Sequence, residues 1–240
     1  MPENFFNESV AARYDQTIGS WGDAKVVEAT VRFLAGLAGG GAALELGIGT
    51  GRIALPLVKL GVPVRGIDLS EAMVARLHAK AGGADIPITI GDFSTARVEG
   101  RFSLAYVVFN TIMNLRTQDA QVACFENVAA HLARGGCFVV EIMLPELQRL
   151  PLGERFLPFA VGAEHLGFDD YDIVHQGLTS HHYYPRTGDY TTFPGRYVWP
   201  SELDLMARLA GMELRERWSG WRREPFTAES TKHVSVWEKR

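Results

Sequence analysis

The sequence is poor in cysteine, in long apolar runs and in surplus positive charge, and each shortage removes a class of function. Its two cysteines, Cys124 and Cys137, have neither metal-type spacing nor a disulfide framework in a chain of 240 residues. They fall in a helical and a strand pattern, which makes them reduced core residues. No stretch reaches the ~18 consecutive apolar residues of a membrane span, and the opening MPENFFNES lacks a basic region followed by an apolar one. Lysine and arginine number 24 against 28 acidic residues, a net charge of −4, so the chain has no general attraction for polyphosphates or anionic membranes. The expectation is a cytoplasmic protein with neither nucleic acid nor membrane as partner, and a length that suits one α/β domain of ~200–250 residues.

What is present is a rhythm. AALELG (42–47), PVRGID (63–68), IPITIGD (86–92), RFSLAYVVFN (101–110) and GCFVVEIML (136–144) are short β-branched, apolar runs that read as strands. Helical stretches separate them: GRIALPLVKLG, SEAMVARLHAKAGG with Ser70 as N-cap and Gly82 as stop, and TQDAQVACFENVAAHLARGG. Two further helices precede the sheet, around Glu8 to Gln16 and Asp23 to Leu37. Strands alternating with helices predict a parallel sheet covered on both faces.

LELGIGTGR (44–52) lies where the first strand meets a helix, the place where free backbone N–H groups and the helix dipole meet a ligand. Gly47, Gly49 and Gly51 fall at every second position. That spacing differs from the G-x-G-x-x-G of a dinucleotide loop, and no Gly-Lys-Ser/Thr follows to make a phosphate loop.

The E-x-G-x-G-x-G of Glu45 to Gly51 resembles the class I S-adenosylmethionine-dependent methyltransferases, and the wider layout, with Tyr14, an inserted strand region and the WP-x-E-L helix, resembles the small-molecule tailoring type of bacterial secondary metabolism. Other marks appear in the family's order over roughly Ala43 to Leu144. Asp68 ends the second strand, where the family presents an acid to the ribose hydroxyls, and a carboxylate accepts two hydrogen bonds at once. Asp92 and Phe93, in GDF, end the third strand, where the resemblance implies contacts to adenine, and Leu69 and Met73 supply apolar walls. Phe109 and Asn110, after the fourth strand, complete the implied cofactor set, and no metal is implied. AARYDQ (11–16) resembles the family's segment that closes over the cofactor, with Tyr14 against the methionine end. Each mark also has a plainer reading: a tight turn for the glycines, a helix cap for Asp68 and a packed ring for Tyr14.

The resemblance implies a Rossmann-like sheet, mostly parallel with its last strand antiparallel. N-terminal helices (1–41) precede a cofactor-binding core (42–144); an inserted antiparallel strand region (145–198) follows the fifth strand, and a helix with a strand pair (199–240) closes one domain. Within the insertion, 145–170 reads as irregular with a short helix and 171–199 as strands turning at Arg186 to Asp189. Ser201 reads as the N-cap of the last helix and Gly211 as its stop. His165, His175, His181 and His182 do not make a metal site, because strand neighbours point to opposite faces and no supporting i,i+4 pair exists. Asn114, His181 and Tyr184 are candidate acceptor contacts. His182, with Tyr14 beside the transfer, is the candidate base, His181 its control on the other face, and Glu141 a rival base with a plainer reading as an orienting carboxylate.

The expected reaction is methyl transfer from S-adenosylmethionine to nitrogen or oxygen of a small molecule. FNTIMN (109–114) replaces the Asp/Asn-Pro-Pro-aromatic of base-methylating enzymes, and no basic patch for nucleic acid is visible. Asn114 departs from the sugar N-methyltransferases, which often carry histidine or an aromatic residue near that position. A homodimer is compatible with the resemblance. Three alternatives stay open: a silent cofactor-binding partner, an aminopropyl transferase with Asp169, Asp170 and Asp172 supplying acid, and a nicotinamide dehydrogenase.

Overall fold

The computed structural model describes residues 4–17 and 23–240; residues 1–3 and 18–22 of the expected N-terminal segment lie outside them. Helices α1 (Glu8–Thr17) and α2 (Ala24–Ala38) precede strands β1 (Ala43–Leu46), β2 (Val64–Asp68), β3 (Ile88–Ile90), β4 (Phe102–Val107) and β5 (Leu132–Met143). Helices α3 (Ala54–Lys59), α4 (Glu71–His78) and α5 (Gln118–His131) connect them. Their ends follow local chemistry. The Asp23, Ser70 and Thr117 side chains accept backbone N–H groups at the starts of α2, α4 and α5, and α2 stops at Gly39 with φ +58°.

Strands β6 (Phe156–Val161), β7 (Leu166–Asp172), β8 (Gly177–Tyr184) and β9 (Asp189–Arg196) form a separate antiparallel sheet. The expected irregular stretch 145–170 therefore holds two strands, hidden in the sequence by Pro151, Pro158 and Gly162; β6 is an edge strand, where proline costs no ladder bond. After it come α6 (Pro200–Leu209), β10 (Met212–Trp218) and β11 (Lys232–Lys239). Ser201 is not the cap of α6: Pro200 opens the helix and Trp199 precedes it without a side-chain bond.

The main sheet runs β10-β11-β5-β4-β1-β2-β3, with β11 antiparallel to both neighbours. One face carries Leu44, Leu46, Phe125, Phe138 and Trp237, and the other Leu34, Ala43, Leu57, Tyr106 and Val139. On the first face Phe125 meets Phe138 and Trp237 edge-to-face, at 5.0 and 5.5 Å. The alternation of β1 and β5 also sends two polar residues, Glu45 and Glu141, to the second face.

Candidate active site

At the carboxyl end of β1 the backbone turns through three left-handed glycines, Gly47 (φ +66°), Gly49 (φ +56°) and Gly51 (φ +79°). A side chain is strained at each by the left-handed backbone, and at two of them it also lacks room. A Cβ on Gly47 would lie 2.5 Å from Thr111 Cγ2, and one on Gly51 2.9 Å from Leu77, whereas at Gly49 the nearest atom is Met73 Cε at 3.4 Å. Gly51 thus seats the loop on α4, and Gly47 and Gly49 face a cleft.

That cleft is lined by Gly47, Gly49, Asp68, Leu69, Met73, Asp92, Phe93, Thr111, Asn114 and Leu115, with Asn4, Phe5, Phe6 and Tyr14 over it. Asp68 Oδ2 accepts the Gly49 amide at 2.6 Å and Oδ1 the Ser70 amide at 2.8 Å. Burial raises the Asp68 pKa and these two amides oppose the rise. The cap of α4 is Ser70, which takes Met73 N–H at 3.2 Å, so helix capping does not account for Asp68. Asp92 Oδ1 holds Ser94 through both its amide and its hydroxyl at 2.8 Å.

Four residues expected at the cofactor are elsewhere. Glu45 is buried on the second face, where Tyr106 donates its hydroxyl to Oε2 at 2.8 Å and burial pushes the Glu45 pKa up to about 8. Gly51 packs on Leu77 rather than facing the cleft. Phe109 and Asn110 line a second, larger cavity instead. Both have left-handed backbones at φ +59° and +60°, a conformation that costs roughly 1–2 kcal/mol per residue. What holds them is Glu141: its Oε2 accepts Phe109 N–H at 3.2 Å, its main-chain oxygen Asn110 N–H at 3.3 Å, and its Oε1 the Trp221 indole at 2.8 Å. Asn110 Oδ1 accepts Met143 N–H at 2.7 Å. Glu141 lines neither cavity and orients the turn from behind the wall, the plainer of the two roles its sequence position offers.

The second cavity, about 840 Å³, lies between α1, the Phe109–Asn114 turn and the inner face of the β6–β9 sheet. Alternation along β8 points Leu178, Ser180, His182 and Tyr184 into it. His181 falls on the outer face, stacked on Phe168 at 4.5 Å and bonded to the Tyr190 hydroxyl, so its expected acceptor contact is lost. His182 Nδ1 lies 3.0 Å from His165 Nε2; burial and its histidine neighbours push the His182 pKa down to about 4. His165 sits farther out, stacked on Tyr184 at 4.9 Å. The acids at the mouth are paired: Asp189 with Arg13 at 2.8 Å and Glu164 with Arg186 at 3.2 Å.

The two cavities share Phe6, Tyr14, Thr111 and Asn114. Phe6 stacks on Phe193 of β9 at 5.9 Å and meets Tyr14 edge-on at 6.0 Å. Burial pushes the Tyr14 pKa up to about 12, so the phenol keeps its proton. Sequence reasoning reaches the Asn110–Asn114 loop that contains Thr111 but misses Phe6, Ser180 and Phe193. Stepping by two from His182 finds Ser180, and the hairpin register across Arg186 to Asp189 pairs it with Phe193.

Among the described residues no helix is long and apolar enough to cross a membrane, and no group of three or more His, Cys, Asp or Glu side chains is placed to hold a metal. A family model described as a methyltransferase domain matches residues 43–136. The chain is 35% identical to the CcbJ methyltransferase of Streptomyces caelestis, with a TM-score of 0.86 and 98% of both chains covered. It is 27% identical over 201 residues to the cypemycin N-terminal methyltransferase of a Streptomyces species, covering 82% of each. The fold is also similar to that of CalS10, an amino pentose methyltransferase of Micromonospora echinaspora solved with S-adenosylmethionine bound, at a TM-score of 0.71, 21% identity and 99% of both chains.

Proposed function

Because the chain belongs to the S-adenosylmethionine-dependent methyltransferases, we propose that it methylates a nitrogen atom of a small molecule held in the 840 Å³ cavity. The observation that carries the reading is the chemistry where the two cavities meet. The polar groups there are a phenol with a pKa of about 12, the Thr111 hydroxyl and the Asn114 amide, and none is a base. An alcohol would need its proton taken during transfer, whereas a neutral amine attacks with its own lone pair. With a pKa of about 4, His182 is too weak a base for a hydroxyl; its ring shapes the wall with His165 and Tyr184.

The donor cleft fits the cofactor. S-adenosylmethionine supplies an activated methyl group on a sulfonium. Asp68 would accept from the ribose hydroxyls and Asp92 from the adenine amino group, with Leu69, Met73 and Phe93 as walls, while side-chain-free Gly47 and Gly49 permit close approach. Asn4 to Phe6 and α1 cover the cleft and keep water from the transfer. Asp15 ties α1 to the glycine loop, accepting Thr50 Oγ1 at 2.6 Å and pairing with Lys80 at 2.6 Å.

The test uses methyl-labelled S-adenosylmethionine with matched acceptors, an amino sugar glycoside and a dipeptide with a free amino terminus, each beside its hydroxyl analogue. Label is expected on nitrogen. Label confined to oxygen would overturn the reading.

A further inference from the structure

Along β8, register fixes how far each inward side chain stands from the junction of the two cavities. Leu178 pairs with Gly195, whose Cβ position is 3.1 Å from the Met113 carbonyl in the Thr111–Asn114 turn; Tyr184 pairs with Asp189 at the mouth, beside Arg13. Ser180 and His182 lie between them. Ser180 pairs with Phe193, the ring on which Phe6 of the shared wall is stacked. Two residues of strand span about 6.6 Å, so Ser180 is the inward polar side chain of β8 nearer the Thr111–Asn114 turn, while the His182 ring, one step farther along, also meets Phe193 at 5.6 Å.

Behind Ser180 stands an acid. Asp169, its register partner on β7, is 8% exposed and its Oδ1 accepts the Ser180 hydroxyl at 2.5 Å. Its neighbours in the strand are committed elsewhere: Asp170 to Arg155 at 2.5 Å and Asp172 to His175 at 2.7 Å. No arginine or lysine pairs with Asp169 among the described residues. The titratable groups around it are Glu146, Tyr171 and His181. Burial pushes its pKa up, and the Ser180 hydroxyl pulls it back.

We propose that Ser180, backed by Asp169, is the acceptor's nitrogen site. With its hydrogen given to Asp169, Ser180 Oγ presents lone pairs to the cavity, between the apolar side chains of Leu178 and Phe193. It accepts an N–H of the amine and leaves the nitrogen lone pair free. As the N–C bond forms and the methyl–sulfur bond breaks, positive charge moves from sulfur to nitrogen. The N–H···Ser180···Asp169 chain strengthens as that charge appears, which stabilises the transfer more than the bound reactant. Ser180 touches the acceptor, and Asp169 acts through it as a positioning residue. This deepens the amine reading above and rests on it for the identity of the reacting atom.

The experiment measures binding with the demethylated cofactor S-adenosylhomocysteine present. Benzylamine, whose ammonium form stands in for the positively charged nitrogen that transfer produces and carries an apolar ring for Leu178 and Phe193, is compared with neutral benzyl alcohol. The parent is expected to prefer the amine by about tenfold or more. Ser180→Ala and Asp169→Asn should each abolish the preference, lowering the affinity for the amine by more than that for the alcohol, whereas Ser180→Thr, which keeps the hydroxyl, should retain the preference. Equal binding of both probes by the parent, or a preference that survives in Ser180→Ala, overturns the assignment. Because the readout is binding, a failure of N-methylation itself appears separately, as label on oxygen in an enzyme that still prefers the amine probe.

Discussion

The Gly49 amide donates to Asp68 Oδ2 at 2.6 Å, so the carboxylate that faces the donor cleft also holds the glycine loop that shapes it. Asp68→Asn keeps the size of the side chain but turns an NH2 toward either Gly49 N–H or Ser70 N–H. A hydrogen bond to a charged group is worth about 1.5–3 kcal/mol, so cofactor affinity should fall tenfold or more. Calorimetric titration with S-adenosylhomocysteine checks this, and an unchanged Kd would detach Asp68 from the cofactor.

Gly47→Ala tests the geometry of the loop. Its Cβ would meet Thr111 at 2.5 Å from a backbone at φ +66°, so the substitution disturbs a residue shared by both cavities. We expect weaker cofactor binding together with slower transfer. Gly40→Ala is the comparison: also left-handed, at φ +86°, it has nothing within 4 Å, and it should lose about 1 kcal/mol of stability without loss of cofactor affinity. Similar binding losses in both variants would mean that strain alone is responsible.

Glu141→Gln sets an amide NH2 against either Phe109 N–H or the Trp221 indole. One donor is then left without its acceptor, at a cost of about 1–3 kcal/mol. Because the left-handed Phe109–Asn110 turn is what Glu141 holds, kcat should drop while cofactor Kd is retained. Urea unfolding and steady-state kinetics separate the two effects; a stability loss with normal kcat would limit Glu141 to folding.

Glu45 gives a pH prediction. Folding moves its pKa from the ordinary 4.5 to about 8, so between these values the folded chain holds a proton that the unfolded chain releases. Stability therefore falls as pH rises through that window and levels off above it. Glu45→Gln, uncharged in both states, should gain stability relative to the parent from about pH 5 to about pH 8.5, as read by urea unfolding at each pH. A difference that does not change with pH would contradict the assignment.

The parts of the site that the sequence made legible are those in which one residue type answers one backbone demand. Glycines at alternate positions signal the left-handed loop, Asp68 ends a strand, and the period of two along β8 separates His182 from His181. The same period places Glu45 opposite Leu44 and Leu46, but the motif drew attention to the residue's identity rather than its face. Glu141 follows Cys137 and Val139 in the same way. Asparagine visits the left-handed region readily, but nothing local marks Phe109, whose conformation is held by Glu141 on the neighbouring strand. Phe6 precedes the first helix and has no periodicity to reveal its contact with Phe193. β6 is obscured by Pro158 within it and by Pro151 and Gly162 on either side.

The most direct test of a transfer that places an amine rather than deprotonating an alcohol is the pH profile of kcat/KM for an amine acceptor, in the parent and in His182→Phe. With the His182 pKa at about 4, the imidazole is already neutral across the working range and no limb of the profile belongs to it. The two profiles should superimpose after scaling by one constant. A limb present in the parent and missing from His182→Phe would contradict the account and return His182 to the role of base.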